Sequence, residues 1–454
     1  MFLAVPMLAA AIAFAWTLHG DLQRMYGMTS EAWDLAYYQQ VVWSITQGQW
    51  FYSSFARANS LGTHLELVLV LLAAIEKLWP SPTVLVIFSS AGLAATAPAA
   101  YFFFRAILPA DRAESPWLAV ALSAPIPFWA AIQESARDFF HPENLALPLA
   151  LLAAWAGIRG HRVAMWCLCV LTLTCKEDQV YTIGVLALLM RAYGASEIKR
   201  HWRFILYLAG GWFLIGTGLI QQQLRGPNGY TDFVHLVPAQ AVLETLVRPD
   251  ALLMVAGIVA SMFAFPALAP RWLLLVIPPY LANVLSEHVP QNVLHLHYVM
   301  LLLFPLMVAG AVGARRFLEK RSIRPAAALA AALPALIIGF AAGRFPPALG
   351  TDIPSAYERS NAVAQLRAAA AAIPGDAPVN ADAGLTVWLA NRHTINDFPD
   401  MLDGSSYVIL DEDYWLGSNT DRKKRDTAAA ALASSGRRLL YDDGRFQVWS
   451  PVGD

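Results

Sequence analysis

The sequence predicts a mostly helical membrane protein that crosses the bilayer many times and ends in a small α/β domain. The chain of 454 residues is 57% hydrophobic and only 14% charged, and a soluble protein of this size could not bury so much apolar surface. Its apolar residues fall in blocks of roughly 16 to 25, the length at which a helix crosses the hydrocarbon core of a bilayer. Near residue 344 the composition changes to that of a soluble domain.

About eleven apolar blocks are expected to be transmembrane helices. Residues 64–79 form a further apolar stretch, but it is short and carries Glu66, Glu76 and Lys77. A helix lying in the membrane interface is therefore expected there. The predicted spans are residues 2–18, 82–104, 117–132, 143–158, 163–175, 179–190, 204–221, 250–266, 272–286, 298–314 and 325–343.

The distribution of lysine and arginine orients these spans. With the N-terminus inside, the predicted cytoplasmic loops hold twice as many basic residues as the outside loops, as bacterial inner-membrane proteins do. Treating 64–79 as a span would instead move the basic cluster at 315–324 outside. We therefore predict a membrane domain over residues 1–343, with the C-terminal domain outside the cytoplasm.

The C-terminal part is predicted to be an α/β domain over 357–454, after a proline-containing linker at 344–356. Its simplest interpretation is an accessory or docking domain. The elements expected are helices at 357–373, 384–391 and 425–435, strands around Val379 and at 407–413, and a hairpin across Asp442, Asp443 and Gly444. The formal net charge of −1 offers no basic surface for nucleic acid, so such a partner is excluded.

The first outside loop, residues 19–81, is unusually long beside the other loops. Around Asp34 its aromatic and polar residues interleave, and helical spacing places Asp34 on one face with Tyr37 and Tyr38. We expect two interfacial helices in this loop, joined through a segment that contains Arg57.

Charged and polar residues also collect in the later outside loops, so that all of them face one side of the membrane. Each group has a structural alternative: Asp34 as a helix cap, Glu143 in an ordinary helix start, residues 176–178 as a self-paired turn, and the histidines as interface anchors. The residues are Glu134, Arg137, Asp138, His141 and Glu143; Lys176, Glu177 and Asp178; Arg225, Asp232, His235 and Glu244; and Glu287, His288, His295, His297 and Tyr298.

Several motifs, taken in order, resemble a known family. WDLAYYQQVVWSITQGQWFYSS, GTHLE, FHPE, CKED and HYVMLLLFPLMVAGAVG are similar to the bacterial membrane family catalogued as domain of unknown function 2079. The order of loops also resembles the GT-C superfamily of polytopic glycosyltransferases. This resemblance implies a GT-C-like fold and a sugar donor carried on polyprenyl phosphate.

The resemblance assigns a role to a few residues. Asp34 matches the acidic residue that acts as general base or helps to bind a metal in GT-C enzymes. Asp138 or Glu143 matches the assisting paired acidic motif of the second outside loop in position along the chain, but the spacing of that motif differs. The sequence has no DxD motif in either loop, which leaves dependence on a divalent metal ion open.

The chemistry of transfer suggests further roles. A base takes the proton of the acceptor hydroxyl, and cations stabilise the departing phosphate. We expect Lys176, Arg225 or His297 to hold that phosphate, and the remaining candidates for substrate binding are Arg57, His64, His141, Glu177, Asp178 and Tyr298. The alternatives are a lipid or solute transporter, in which these charges line a path, and an envelope assembly protein.

Overall fold

The apolar blocks of the chain form helices, and the prediction of a mostly helical fold with a small C-terminal sheet is confirmed. The computed structural model describes residues 2–30, 32–225, 237–238, 241–343, 356–413 and 419–453. Of the predicted linker at 344–356, only residue 356 lies within these ranges. Asp232 and His235 also lie outside the described residues.

The described helices of the membrane domain number twenty, α1 to α20, and we label them in chain order. They are α1 Ala4–Tyr26, α2 Tyr37–Thr46, α3 Leu69–Glu76, α4 Thr83–Ile107, α5 Ser115–Ser123, α6 Ala130–Ala136, α7 Glu143–Ile158, α8 Arg162–Leu173, α9 Val180–Tyr193, α10 Ser196–Lys199, α11 Trp202–Trp212, α12 Gln222–Leu224, α13 Val242–Leu246, α14 Pro249–Ser261, α15 Pro270–Leu273, α16 Ile277–Val284, α17 Val289–Asn292, α18 Met300–Lys320, α19 Pro325–Ala328 and α20 Leu333–Ala341.

Within the described residues, five helical stretches are long and apolar enough to cross a membrane. They are Ala4–Tyr26, Thr83–Ile107, Ser115–Ala136, Trp202–Leu224 and Val289–Lys320, and shorter apolar helices cover Glu143–Ile158, Arg162–Leu173 and Pro325–Ala341. Each lies at a predicted span, while the total of about eleven crossings stays a prediction. Helix α18 is at the centre of the domain, because its apolar side chains are buried on every side.

The first helix is longer than the predicted span at 2–18, since α1 continues to Tyr26. Its last turns remain helical although they are polar, because Asp21 and Arg24 pair one turn apart. A π-helical turn, Ala32–Ala36, then leads directly into α2. A two-stranded hairpin, β1 Tyr52–Ser53 and β2 Ala58–Asn59, connects α2 to α3.

The C-terminal domain has helices α21 Ala356–Ala370, α22 Ala383–Leu389 and α23 Asn419–Leu432 around one sheet. Its strands are β3 Val379–Ala381, β4 Ile395–Asp397, β5 Tyr407–Asp411, β6 Leu439–Asp442 and β7 Phe446–Trp449, in the order β4-β3-β5-β7-β6. Strands β3, β4 and β5 are parallel, and β6 and β7 form an antiparallel hairpin. Strand β4 was not predicted.

This domain packs on the first outside loop. The buried Gln40 amide donates to the carbonyl oxygen of Arg392 at 3.0 Å. The Ser54 hydroxyl donates to the carbonyl of Ile395 and accepts from its amide, so it pairs with the backbone of edge strand β4. Apolar residues of the loop and of the domain form one common core. The domain and the loop are therefore held together by buried contacts.

Candidate active site

A cavity of about 750 Å³ lies between α1, the first outside loop and two later loops. One end is lined mainly by apolar groups of α1 and of the segment 127–136, and the other end by ionisable groups. A cavity of this size fits a small-molecule or cofactor site. Its ionisable lining residues are Asp21, Arg24, Asp34, Tyr37, Tyr38, His64, Arg137, Asp138, His141, His288, His297 and Tyr298.

The backbone that delivers these groups is conformationally unusual. Phe139, between Asp138 and His141, has φ +59°, and Leu294 and Leu296, just before His297, both have φ +58°. Non-glycine residues rarely adopt this left-handed conformation, because Cβ then crowds the backbone. Such strained residues collect at functional sites, where the surrounding structure holds them in place.

Asp138 and the two imidazoles form the centre of the polar end. The Asp138 carboxylate lies 2.7 Å from His297 Nδ1 and also accepts from the backbone amide of His297. His141 Nε2 lies 3.9 Å from Asp138 and 3.7 Å from the Asp34 carboxylate. The two imidazole rings stack with their centroids 3.6 Å apart. Each of the three residues offers one ligand atom, and these atoms lie within 4.8 Å of one another, so they could hold a metal ion.

The electrostatics of this centre favour positive charge. Burial acts to raise the pKa of Asp138, but its hydrogen bond to His297 and the nearby imidazoles outweigh burial and lower that pKa below its ordinary value. Burial acts to lower the pKa of His141, but the carboxylates of Asp34 and Asp138 reverse the effect and raise that pKa. The cavity wall at this point attracts protons or other cations.

Further pairs of buried groups adjoin this centre. Lys176 donates to Glu143 at 2.7 Å, and both side chains are almost completely buried. The Tyr38 hydroxyl donates to Glu66 at 2.8 Å and lies 3.4 Å from His141 Nδ1. Tyr38, which also lines the cavity, thereby holds the His141 ring from one side.

The structure brings together some of the residues chosen from the sequence and separates others. Asp34, His64, Asp138, His141, His297 and Tyr298 line the cavity. Glu143, Lys176, Glu177 and Asp178 are buried beside it, with Glu177 paired to His64 at 3.0 Å and Asp178 3.9 Å from Lys176. Arg57 is exposed and Arg225 is half-buried, and neither is among the residues that line the cavity.

Four residues of the site were given no role in the sequence analysis. Arg24 lies at the end of the extended helix α1, and Arg137 precedes Asp138; both line the cavity. Asp21 pairs with Arg24 and Glu134 pairs with Arg137. The sequence did not indicate that either arginine belongs to the site. Tyr38 and Glu66 were noted as an aromatic and a charge of the loop, but their contact could be found only from the fold.

Together, the apolar helices and the cavity define a polytopic helical membrane protein with a polar site in its wall. The chain belongs to the family described as predicted membrane protein (DUF2079), whose pattern matches residues 24–441. The family resemblance seen in the motifs is thereby confirmed.

A solved structure supports the fold. The chain is similar to ArnT from Cupriavidus metallidurans, crystallised in the apo state, with 10% sequence identity, a TM-score of 0.52 and coverage of 97% of both chains. At this identity the likeness concerns the fold alone. A search of curated proteins found no match.

Proposed function

We propose that the chain is a GT-C-type glycosyltransferase that moves a sugar from a polyprenyl-phosphate donor to an envelope acceptor on the extracytoplasmic side of the membrane. The observation that best supports this is the Asp34 carboxylate, which lines the cavity and keeps 25% of its side-chain surface exposed. A carboxylate that lines a cavity and that an acceptor can reach suits a general base.

In the proposed reaction, the acceptor hydroxyl oxygen attacks the anomeric carbon of the donor sugar. The bond from that carbon to the phosphate oxygen breaks, and its electron pair leaves with the carrier phosphate. The hydroxyl proton passes to Asp34. Attack from the face opposite the phosphate inverts the anomeric configuration.

We place the carrier phosphate beside Arg24 and Arg137. Their side chains line the cavity and are 24% and 35% exposed, so a ligand can reach them. A guanidinium presents several donors in a plane, which matches phosphate oxygens. Lys176 suits this role less well than the sequence suggested, because Glu143 already holds its buried ammonium.

The apolar end of the cavity suits the polyprenyl chain of the donor. Ala13 and Trp16 of α1 face Phe128 and Ile132 of the segment 127–136 across this end. The carrier chain would extend from there toward the lipid, while its phosphate stays near the arginines.

Asp34→Asn tests this proposal. The purified variant should fold normally and transfer sugar from a panel of polyprenyl-phosphate sugars at least about 100-fold more slowly than the wild type, because the base is lost. Asp111→Asn is the matched control, since Asp111 is exposed and does not line the cavity. Unchanged transfer by Asp34→Asn would remove Asp34 as the base.

The donor and acceptor are identified by deleting the gene. Mass spectrometry of the deletion strain should reveal a lipid-linked sugar that accumulates and a glycan that disappears. If neither changes, and the purified wild type transfers from no donor in the panel, the transporter interpretation would replace the enzyme.

A further inference from the structure

The centre formed by Asp138, His141 and His297 has the composition and spacing of a transition-metal site. Its ligand atoms are two imidazole nitrogens and one carboxylate oxygen, all within 4.8 Å of one another. Zinc bonds of about 2.0–2.2 Å in a tetrahedral arrangement put neighbouring ligand atoms roughly 3.4 Å apart. The observed separations of 2.7 Å from Asp138 to His297 and 3.9 Å from Asp138 to His141 lie on either side of that value.

We propose that Asp138, His141 and His297 bind one zinc ion, or a transition metal with the same ligand preference, in the wall of the cavity. Imidazole favours zinc and its neighbours in the first transition row, whereas magnesium and calcium favour sites made of oxygen atoms alone. Three protein ligands leave one coordination position that faces the cavity.

The surroundings of the two histidines support this assignment independently. A histidine that binds metal through one ring nitrogen is usually oriented by a polar partner on the other nitrogen. His141 Nδ1 lies 3.4 Å from the Tyr38 hydroxyl, which donates to Glu66. His297 Nε2 lies 3.9 Å from Glu143, which Lys176 holds in place. The His141 ring therefore has a second polar contact through its other nitrogen, and the His297 ring has a carboxylate near its other nitrogen.

One imidazole atom in the centre lies near two carboxylates but outside hydrogen-bond distance of either. His141 Nε2 is buried and, within the described part of the chain, makes no hydrogen bond, although it points between the carboxylates of Asp34 and Asp138. Buried polar atoms are normally satisfied. A metal ion bound at this point would supply the missing partner.

The charge of the centre also matches a divalent cation. Glu143 is balanced by Lys176, and the arginines of the cavity pair with Asp21 and Glu134. Asp34 and Asp138 then contribute two carboxylates beside the two imidazoles. Buried charge of this kind is costly without a counter-ion, and a divalent cation would neutralise it.

Metal binding can be measured without any transfer assay. The full-length protein, carrying a purification tag without histidine, is treated with EDTA, dialysed and titrated with ZnCl₂, and bound zinc is counted by plasma mass spectrometry. We expect one zinc per chain, retained in millimolar MgCl₂. X-ray absorption at the zinc edge should show two imidazole ligands.

Variants locate the ion. His297→Gln should weaken zinc binding at least about 100-fold, and Tyr38→Phe, which removes only the hydroxyl beside His141, should weaken it about 10- to 100-fold. His295→Gln is the matched control, because His295 is two residues away and exposed. The proposal is overturned if the wild type binds no zinc, or if His297→Gln binds as much as the control.

A role for the metal in holding the carrier phosphate rests on the proposed transferase function. Binding of the metal by the protein does not depend on that function. Zinc binding without transfer activity would refute only the transferase. Transfer that is unaffected by EDTA, in protein that binds no zinc, would refute only the metal site.

Discussion

The buried pair of Lys176 and Glu143 allows a sharp test of the structure through Lys176→Met. The pair is separated by 2.7 Å, and the two side chains are only 2% and 3% exposed. Methionine keeps the length and apolar character of the lysine side chain but removes its charge. The substitution therefore leaves Glu143 buried without its cation.

The expected loss follows from the cost of an uncompensated buried charge. Breaking a buried ion pair by removing one partner destabilises a protein by about 3–5 kcal/mol, whereas an exposed pair contributes about 0.3–0.5 kcal/mol. Glu319→Gln breaks such an exposed pair, because Arg315 and Glu319 are 36% and 49% exposed. The two substitutions should therefore differ roughly tenfold in their effect on the free energy of unfolding.

Unfolding in mixed detergent micelles measures both effects. Adding Glu143→Gln to Lys176→Met should recover at least about 2 kcal/mol, because the orphaned charge is then removed as well. If Lys176→Met costs no more than Glu319→Gln, or if Glu143→Gln recovers nothing, the pair is not buried as described.

Two further predictions concern the outer loop and the domain that covers it. Burial raises the pKa of Glu66 from 4.5 to about 7, so the folded protein keeps this proton between pH 4.5 and 7 while the unfolded chain loses it. The free energy of unfolding should therefore fall by about 3 kcal/mol as pH rises through this window. In a pH series of unfolding curves, Glu66→Gln should remove that part of the slope. Gly384 lies against the carbonyl oxygen of Met28, so a methyl group at Gly384 would overlap that oxygen. Gly384→Ala should therefore destabilise the protein by about 1–3 kcal/mol and speed deuterium exchange in residues 28–46. Gly404→Ala is the control, because its methyl group would meet only ordinary contacts, and it should have neither effect.

The membrane helices could be predicted because their signal is local. An apolar block of sufficient length must be helical in a bilayer, since every backbone group has to be paired within the segment. The end of α1 could not be predicted in this way, because its last turns are polar and are stabilised by Asp21, Arg24 and the walls of the cavity. Strand β4 was missed because Ile395 is its one apolar residue, so no apolar run marks it in the sequence.

The candidate site was only partly accessible from the sequence. Charges in outside loops indicated which segments to consider, and Asp34, Asp138, His141 and His297 do line one cavity. The sequence could not indicate that Asp138 contacts a histidine 159 residues away. The sequence also could not show that Lys176 is buried and paired with Glu143, whereas Arg137 is partly exposed and can be reached by a ligand.

The contact between the C-terminal domain and the first outside loop has a consequence for exchanging parts between relatives. Gln40 and Ser54 bind the backbone at residues 392–395 rather than side chains, so their fit depends on the path of the main chain there. A chimaera that takes its C-terminal domain from another family member should therefore take the first outside loop, residues 19–81, from the same parent. The two segments lie at opposite ends of the sequence, but in such a chimaera they behave as one exchangeable unit.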